Sequence, residues 1–209
     1  MKHLRKQIAG YLLTLILLMA GIVFPGSGEK VLASGGSMTV HFLDVGQGLS
    51  ILVQSEGQNL LYDGGPRSAS SYVVSYLQEQ NVSEIDYLIS SHYDEDHVSG
   101  LIGCLNAFQV DNVIGADYIH DSSLYGSFMD AVAAHGLEVQ HPAVGASIHL
   151  ARENLQFFTK GISKESNANS VAIKLTNGEN SFVFTGDADF NCEADMVNSG
   201  LDLSCDVLS

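Results

Sequence analysis

The feature that most constrains the fold of this chain is the octapeptide SSHYDEDH at residues 90–97. It follows the mostly apolar run 85–89, which predicts a buried strand, so its polar side chains are expected at a strand end, where rigid scaffolds commonly carry sites. Imidazoles and carboxylates together suit zinc, manganese or iron better than an ion that prefers oxygen alone. A solvated acidic turn is the alternative interpretation of the octapeptide by itself.

The alternation within the octapeptide predicts how its side chains point. In an extended turn, successive side chains face opposite sides, so His92, Asp94 and Asp96 share one side. His97 then swings back towards them. We therefore expect an extended segment here, followed by a helix over 98–108.

The first 33 residues have the layout of a secretory signal peptide. A basic leader precedes the apolar run 8–24, and Val31 and Ala33 stand at the positions that a signal peptidase recognises. The apolar run has 17 residues, the lower limit for crossing a bilayer, so an uncleaved anchor on the outer face of the membrane is the alternative. We expect a signal peptide at 1–33, a linker at 34–37, a folded domain at 38–209 and an extracellular protein without a stable membrane partner after cleavage.

Charge and cysteine content limit the possible partners. Residues 34–209 hold five basic and 23 acidic side chains, a net charge of −18, which argues against non-specific binding of nucleic acid. It does not exclude a phosphate ester held by cations. Three cysteines remain, an odd number for internal disulfides. Cys104 lies in an apolar helical pattern and is expected to be buried, whereas pairing of Cys192 with Cys205 stays open.

Hydrophobic periodicity predicts a layered α/β domain of two sheets flanked by helices. Strands come first, helices are then interleaved, and strands return towards the end. Strands are expected at 39–45, 49–54, 59–63, 85–89, 110–114, 138–141, 147–150, 155–159, 171–176, 181–185 and 201–208, and helices at 70–80, 98–108, 122–135 and 188–198.

Three further loops carry an aspartate next to glycine where a predicted strand ends. They are FLDVGQG at 42–48 with Asp44, DGG at 63–65 with Asp63, and FTGD at 184–187 with Asp187. Each alone is a common strand-to-turn device. His120, beside Asp121 in a loop after a strand, is a further candidate for a substrate contact.

Taken in order with the octapeptide and the NSV segment at 169–171, these motifs resemble the metallo-β-lactamase superfamily. Within it, residues 39–209 are similar to the hydrolase domain of ComEC-type DNA-uptake proteins and their secreted stand-alone relatives. The resemblance implies an αβ/βα sandwich of two mixed sheets flanked by helices.

The resemblance also implies a site with two divalent metal ions, zinc or alternatively manganese. His92 and Asp94 would hold one ion, Asp96 and His97 would face the second, and Asp187 would bridge both. Asp96 would also act in catalysis by orienting the attacking metal-bound hydroxide or taking a proton from its parent water. Supporting or substrate-contacting positions would be taken by Asp63, Asp44, Asn169 and His120.

The function that follows from the resemblance is that of a secreted metal-dependent hydrolase, of phosphodiesterase or nuclease type, acting on a phosphate ester with DNA as one candidate. In the family, the strand that resembles 201–208 leads into a His-His-Gly-Ser turn with a further ligand, and the sequence reaches Ser209 before that turn. We therefore expect a domain whose second half is incomplete. The alternative function is a catalytically inactive extracellular binding or accessory domain, or a truncated remnant of such an enzyme.

Overall fold

The computed structural model describes residues 37–159 and 170–209. Within them, eleven strands and four α-helices follow one another along the chain, and a short 3-10 turn at Arg67–Ala69 leads into the first helix. The elements are β1 Met38–Phe42, β2 Ile51–Ser55, β3 Gln58–Tyr62, α1 Ser70–Glu79, β4 Glu84–Ser90, α2 Glu95–Ala107, β5 Gln109–Gly115, α3 Ser123–Ala134, β6 Val139–Gln140, β7 Ser147–Leu150, β8 Glu153–Phe157, β9 Ile173–Asn177, β10 Asn180–Phe184, α4 Phe190–Asn198 and β11 Val207–Leu208.

The first sheet has the strand order β1-β2-β3-β4-β5-β6. Its first three strands are antiparallel, and β2 joins β3 through Glu56 and Gly57, both with positive φ, as a tight two-residue hairpin requires. From β3 onwards neighbouring strands run parallel, with helices in the crossovers. The carboxyl ends of β3, β4 and β5 therefore meet at one edge of the sheet, where loops can converge.

The second sheet has the order β11-β10-β9-β8-β7 and is antiparallel except for the pair of β10 with β11. Its inner face packs on the first sheet. The Tyr62 hydroxyl donates a 2.8 Å hydrogen bond to the carbonyl of Val171, and the ring of Tyr62 lies 5.6 Å from that of Phe184. Because all of these groups are buried, Tyr62 joins the two sheets next to the ends of their strands.

Helices cover the outer faces of the two sheets. Buried side chains of α1, α2 and α3 belong to the main core: Val73, Leu77, Val98, Leu101, Leu105, Phe128 and Val132. On the other side, Met196 of α4 joins a smaller apolar cluster with Ala172 and Val183 of the second sheet. The result is a helix–sheet–sheet–helix arrangement, which confirms the predicted layered α/β fold.

Two predicted elements differ from the structure. The second helix begins at Glu95 rather than at residue 98, with acidic Glu95 and Asp96 in its first turn, where the helix dipole favours negative charge. The predicted strand 201–208 is confined to Val207–Leu208. Upstream of it, the Asp202 carboxylate accepts hydrogen bonds from the amide and hydroxyl of Ser204, a local turn that competes with strand pairing.

Cys104, Cys192 and Cys205 are all free thiols, so the open pairing of Cys192 with Cys205 is not formed. Cys104 is buried in α2, as its apolar surroundings predicted. The predicted signal segment 1–33 and residues 34–36 of the linker lie outside the described residues. Among the residues that the structure describes, no helix has the length and apolar character needed to traverse a bilayer.

Candidate metal centre

Four chain segments meet at the carboxyl edge of the first sheet. Asp63 follows β3 and His92 follows the neighbouring parallel strand β4, while His97 lies in the first turn of α2. Asp187 arrives from the second sheet, directly after β10. Gly186 permits that approach because its φ is +58° and a Cβ there would lie 2.6 Å from Cβ of Ser91.

Asp63 is the buried hub of the site. Its Oδ1 accepts the amide of Ser91 at 2.7 Å, and its Oδ2 accepts both the Ser91 hydroxyl at 2.6 Å and Nδ1 of His97 at 2.8 Å. Its own amide donates to the carbonyl of Ile89. Asp63 has a φ of +57°, a conformation that is costly for a residue other than glycine, and these hydrogen bonds hold it there.

The same hydrogen bonds set the tautomers of both buried imidazoles. The Ser91 hydroxyl donates its single hydrogen to Asp63, so it accepts at 2.9 Å from Nδ1–H of His92. Nδ1–H of His97 donates to Asp63 directly. In the neutral form, each ring therefore presents an Nε2 lone pair, the arrangement in which histidine serves as a metal ligand.

These two Nε2 atoms converge with the carboxylate of Asp187. Both are buried and lack a hydrogen-bond partner among the described residues, and the ring centroids are 4.2 Å apart. Nε2 of His97 lies 3.1 Å from Oδ1 of Asp187, and one possible ligand atom from each of the three residues falls within 4.8 Å of the others. Ligands bound at about 2.1 Å around a tetrahedral ion are about 3.4 Å apart, so the His97–Asp187 pair would accommodate a divalent cation after a small adjustment.

The electrostatics of the two imidazoles differ. Burial lowers the pKa of His92, and the neighbouring His97 lowers it further, while Asp63 and Asp94 oppose the change. Burial also lowers the pKa of His97, but the hydrogen bond to Asp63 and the charges of Asp63, Asp187 and Asp96 outweigh burial and raise it to about 9. The carboxylates around His97 therefore favour a positive charge at its Nε2. That charge is either a proton or a metal cation that replaces the proton.

The other predicted ligands lie at the margin of this group. Asp94 is the extended residue before α2, and its Oδ2 is 3.5 Å from Nε2 of His92. Asp96 follows in the helix, so it does not share the side of His92 and Asp94 as the extended turn predicted. Its Oδ2 accepts from the Gln47 side chain at 3.3 Å, and it lies outside the group formed by His92, His97 and Asp187.

The supporting residues are placed as follows. His120 contacts Asp94, with 3.5 Å between Nε2 and Oδ1. Asp44 is exposed, and its carboxylate accepts the amide of Gly46 at 3.3 Å. Asn169 lies outside the described residues.

Sequence reasoning missed Ser91 and Gln47. Ser91 lies within the octapeptide and bonds both Asp63 and His92, so its position directly before a candidate ligand was the available signal. Gln47 lies between two glycines of the FLDVGQG loop and reaches Asp96 across 49 positions of sequence, which no local pattern reveals.

Solved structures resemble this architecture. A mutant metallo-beta-lactamase from Cronobacter sakazakii aligns over 81% of this chain and 75% of its own, with a TM-score of 0.56 and 15% sequence identity. At that identity the likeness concerns the fold alone.

Sequence comparison gives more specific relatives. The chain is 30% identical over 185 residues to competence protein ComA of Neisseria gonorrhoeae, covering 87% of this chain and 24% of that protein. It is 29% identical over 157 residues to recombination protein 2 of Haemophilus influenzae, covering 72% of this chain and 18% of that protein. The chain thus spans about a quarter or less of the length of these two curated relatives.

The family follows from the sequence match together with the fold. Residues 43–207, most of the chain, match the Metallo-beta-lactamase superfamily. This range contains the segments that carry Asp63, His92, His97 and Asp187. The chain belongs to the metallo-beta-lactamase superfamily, and its curated relatives include competence proteins of the ComEC type.

Proposed function

We propose that this chain is a metal-dependent hydrolase that cleaves phosphodiester bonds. The superfamily consists generally of hydrolases, and the observation that carries the proposal is the convergence of His92, His97 and Asp187. Among the described residues, Nε2 of His92 is buried without a hydrogen-bond partner, and buried Nε2 of His97 faces the carboxylate of Asp187. A cation shared by the three groups would stabilise this otherwise costly arrangement.

The proposed cofactor is a pair of divalent cations, with zinc favoured by the imidazole ligands. His92, His97 and Asp187 would hold the first ion, and Asp94 lies close enough to take part. Bound there, a divalent cation would lower the pKa of water towards neutrality and polarise a phosphoryl oxygen.

The protein's own residues prepare the site for hydrolysis. Asp63 and Ser91 fix both imidazole rings through Nδ1, so the ring orientation needs no rearrangement. Asp96 is held by Gln47, and we assign it to orient the attacking water and accept its proton as the new phosphorus–oxygen bond forms. The ester bond to the leaving group then breaks, and the leaving oxygen takes a proton from solvent.

The proposed substrate class rests on the named relatives. Competence protein ComA and recombination protein 2 carry names that refer to competence and recombination, so a nucleic acid is the substrate proposed first. The net charge of −18 on residues 34–209 opposes general binding of a polyanion, so productive contact would be limited to the cation site. A location outside the cytoplasmic membrane is part of the proposal, based on the layout of residues 1–33.

A hydrolysis assay with matched variants tests the proposal. The metal-loaded chain should hydrolyse bis-p-nitrophenyl phosphate and cleave DNA, and His92→Ala or Asp187→Ala should reduce either rate by at least about 100-fold. His149→Ala is the control, because His149 is exposed on β7, the strand at the edge of the second sheet.

Equal rates in His92→Ala and the unchanged protein would contradict the proposal. Hydrolysis of the β-lactam nitrocefin without phosphodiester cleavage would replace the proposed substrate class with that of the lactamases. Metal analysis of each variant shows whether a lost rate reflects lost metal.

A further inference from the structure

A large aromatic side chain is exposed close to a member of the metal centre. Phe190 follows Asp187 by three residues and is 82% exposed at the first position of α4. Three residues span at most about 11 Å, so the Cα atoms of Asp187 and Phe190 lie within that distance. Side chains of a helix lean towards its N-terminus, so Phe190 leans towards the turn that begins at Asp187.

Hydrogen bonds hold this turn in place. The amide of Ala188 donates to the carbonyl of Thr185 at 3.3 Å. Oδ1 of Asp189 accepts the amides of Asn191 and Cys192 at 2.9 Å and 3.0 Å, which caps α4. Because the backbone on both sides of Phe190 is fixed in this way, its position relative to Asp187 is fixed as well.

Phe190 lies on an apolar outward face of α4. Buried Cys192 and Met196 turn the other face of the helix towards the second sheet. On the outward face, a shallow groove of about 270 Å³ is lined by Phe190, Glu193, Ala194, Val197 and Asn198. Its apolar members are spaced i, i+4 and i+7, so they share one side of the helix.

Charge decides which part of a substrate can rest on Phe190. Residues 175–209 contain seven acidic residues and no lysine or arginine, so phosphate groups are repelled from this surface. The flat face of a nucleobase carries no net charge and stacks on aromatic rings. The favourable place for a phosphate is therefore the cation proposed between His92, His97 and Asp187, with an adjoining base within reach of Phe190.

We propose that Phe190 is a stacking platform for an unpaired base next to the phosphate that is cleaved, so that the preferred substrate is a single-stranded nucleic acid. In a duplex the bases are paired and stacked on one another, and freeing one costs energy. Stacking on an aromatic ring is largely independent of the base, so little sequence preference is expected. This inference rests on the proposed function and narrows its substrate to unpaired strands.

A single tryptophan provides a test that needs no catalysis. The chain contains no tryptophan, so Phe190→Trp introduces a unique fluorophore. In the Zn²⁺-loaded variant, a phosphorothioate-linked deoxyadenosine dinucleotide, chosen to resist cleavage, should quench the emission because a base stacks on the indole. Dimethyl phosphate, which has no base, should not quench it.

Val197→Trp is the matched control for the fluorescence measurement. Val197 is 67% exposed on the same helix, and seven residues separate it from Phe190 by about 10 Å along the helix axis. The dinucleotide should leave the emission of this variant unchanged. Circular dichroism of both variants checks that they are folded.

Kinetics give a second, independent measurement. Phe190→Ala should raise the KM for a single-stranded oligodeoxynucleotide by about 5- to 150-fold, the factor expected from the loss of one stacked base. Phe190→Tyr, which keeps an aromatic ring, should retain a KM within about threefold of the unchanged protein. Val197→Ala should have the KM of the unchanged protein.

The outcomes separate this inference from the proposed function. Equal quenching in the two tryptophan variants, or an unchanged KM in Phe190→Ala, would overturn the stacking role. An emission of Phe190→Trp that shifts to shorter wavelength with protein concentration alone would also overturn it, since a second copy would then cover α4. Cleavage of phosphodiesters that persists in these cases leaves the proposed function standing. Quenching confined to Phe190→Trp, without phosphodiester cleavage by the unchanged protein, would retain the base contact and reject the hydrolase.

Discussion

Nδ1 of His97 donates a 2.8 Å hydrogen bond to the carboxylate of Asp63, and both side chains are almost fully buried. This contact ties the end of β3 to the first turn of α2. It also directs Nε2 of His97 towards Asp187, which arrives from the other sheet. The geometry of the whole site therefore depends on one carboxylate that itself points away from the cation position.

Asp63→Asn should weaken metal binding by about 10–100-fold, because an amide lacks the charge that holds Nδ1–H of His97 and the Ser91 hydroxyl together. Zn²⁺ titration measures the affinity. Asp130→Asn is the matched control, since Asp130 is exposed on α3 and should leave the affinity unchanged. Equal affinities in the two variants would contradict the role given to Asp63.

Gly186→Ala should destabilise the fold and the metal centre more than Gly178→Ala. Both glycines have a φ near +59°, so each substitution costs about 1–2 kcal/mol in backbone strain. Only at Gly186 does the new Cβ meet another group, 2.6 Å from Cβ of Ser91, whereas Gly178 has nothing within 4 Å.

Urea unfolding and Zn²⁺ titration of both variants check this prediction. The difference in unfolding free energy between them isolates the contact with Ser91 from the strain. Equal losses of stability together with equal metal affinities would show that the approach of Gly186 to Ser91 is not close.

Metal removal should lower thermal stability. A cation that binds only the folded chain at a concentration of 100 times its Kd adds about 2.7 kcal/mol. For a domain of this size that corresponds to a rise in Tm of roughly 5–11 °C over the chelator-treated protein. Scanning calorimetry measures the shift, and Asp187→Ala should lose most of it because Asp187 belongs to the ligand group.

The pH dependence of the metal-free protein should report His97. Its folded pKa of about 9 exceeds the ordinary value of 6.5, so its contribution to stability is complete below pH 6.5 and is lost as the pH rises through about 9. The loss should be on the order of 1–3 kcal/mol. The lowered pKa of His92 acts in the opposite sense, at more acidic pH.

Urea unfolding of the unchanged protein and of His97→Gln, both in chelator, isolates this contribution. The stability advantage of the unchanged protein should shrink between pH 6.5 and pH 10, since glutamine does not titrate. An advantage that stays constant over that range would show that the proton on His97 is not bound more tightly in the folded state.

Much of the fold follows from local patterns. Short apolar runs bounded by turn residues located ten of the eleven predicted strands near their observed positions, because both signals are properties of neighbouring residues. The segment 201–208 is the exception. Leu201, Leu203 and Cys205 alternate as in a strand, yet they pack beside Met196 while Asp202 makes its own turn. Local patterns also predicted the start of α2 at residue 98, whereas the helix begins at Glu95. Asp96 therefore lies in its first turn and not on the side of Asp94.

The sequence by itself determined the family, the order of strands and helices, and the strand-end location of the octapeptide and of Asp63 and Asp187, because these are encoded in residue type and spacing. The resemblance implied a ligand role for Asp187 and a supporting role for Asp63. Only the tertiary structure showed that Asp187 meets both His92 and His97, that Asp63 bonds Nδ1 of His97, and that Asp96 lies outside the group. The physical reason is that His97 and Asp187 are about ninety positions apart in the sequence, and their side chains meet only because the two sheets approach each other closely. That approach is set by contacts such as Gly186 on Ser91, which no local pattern contains.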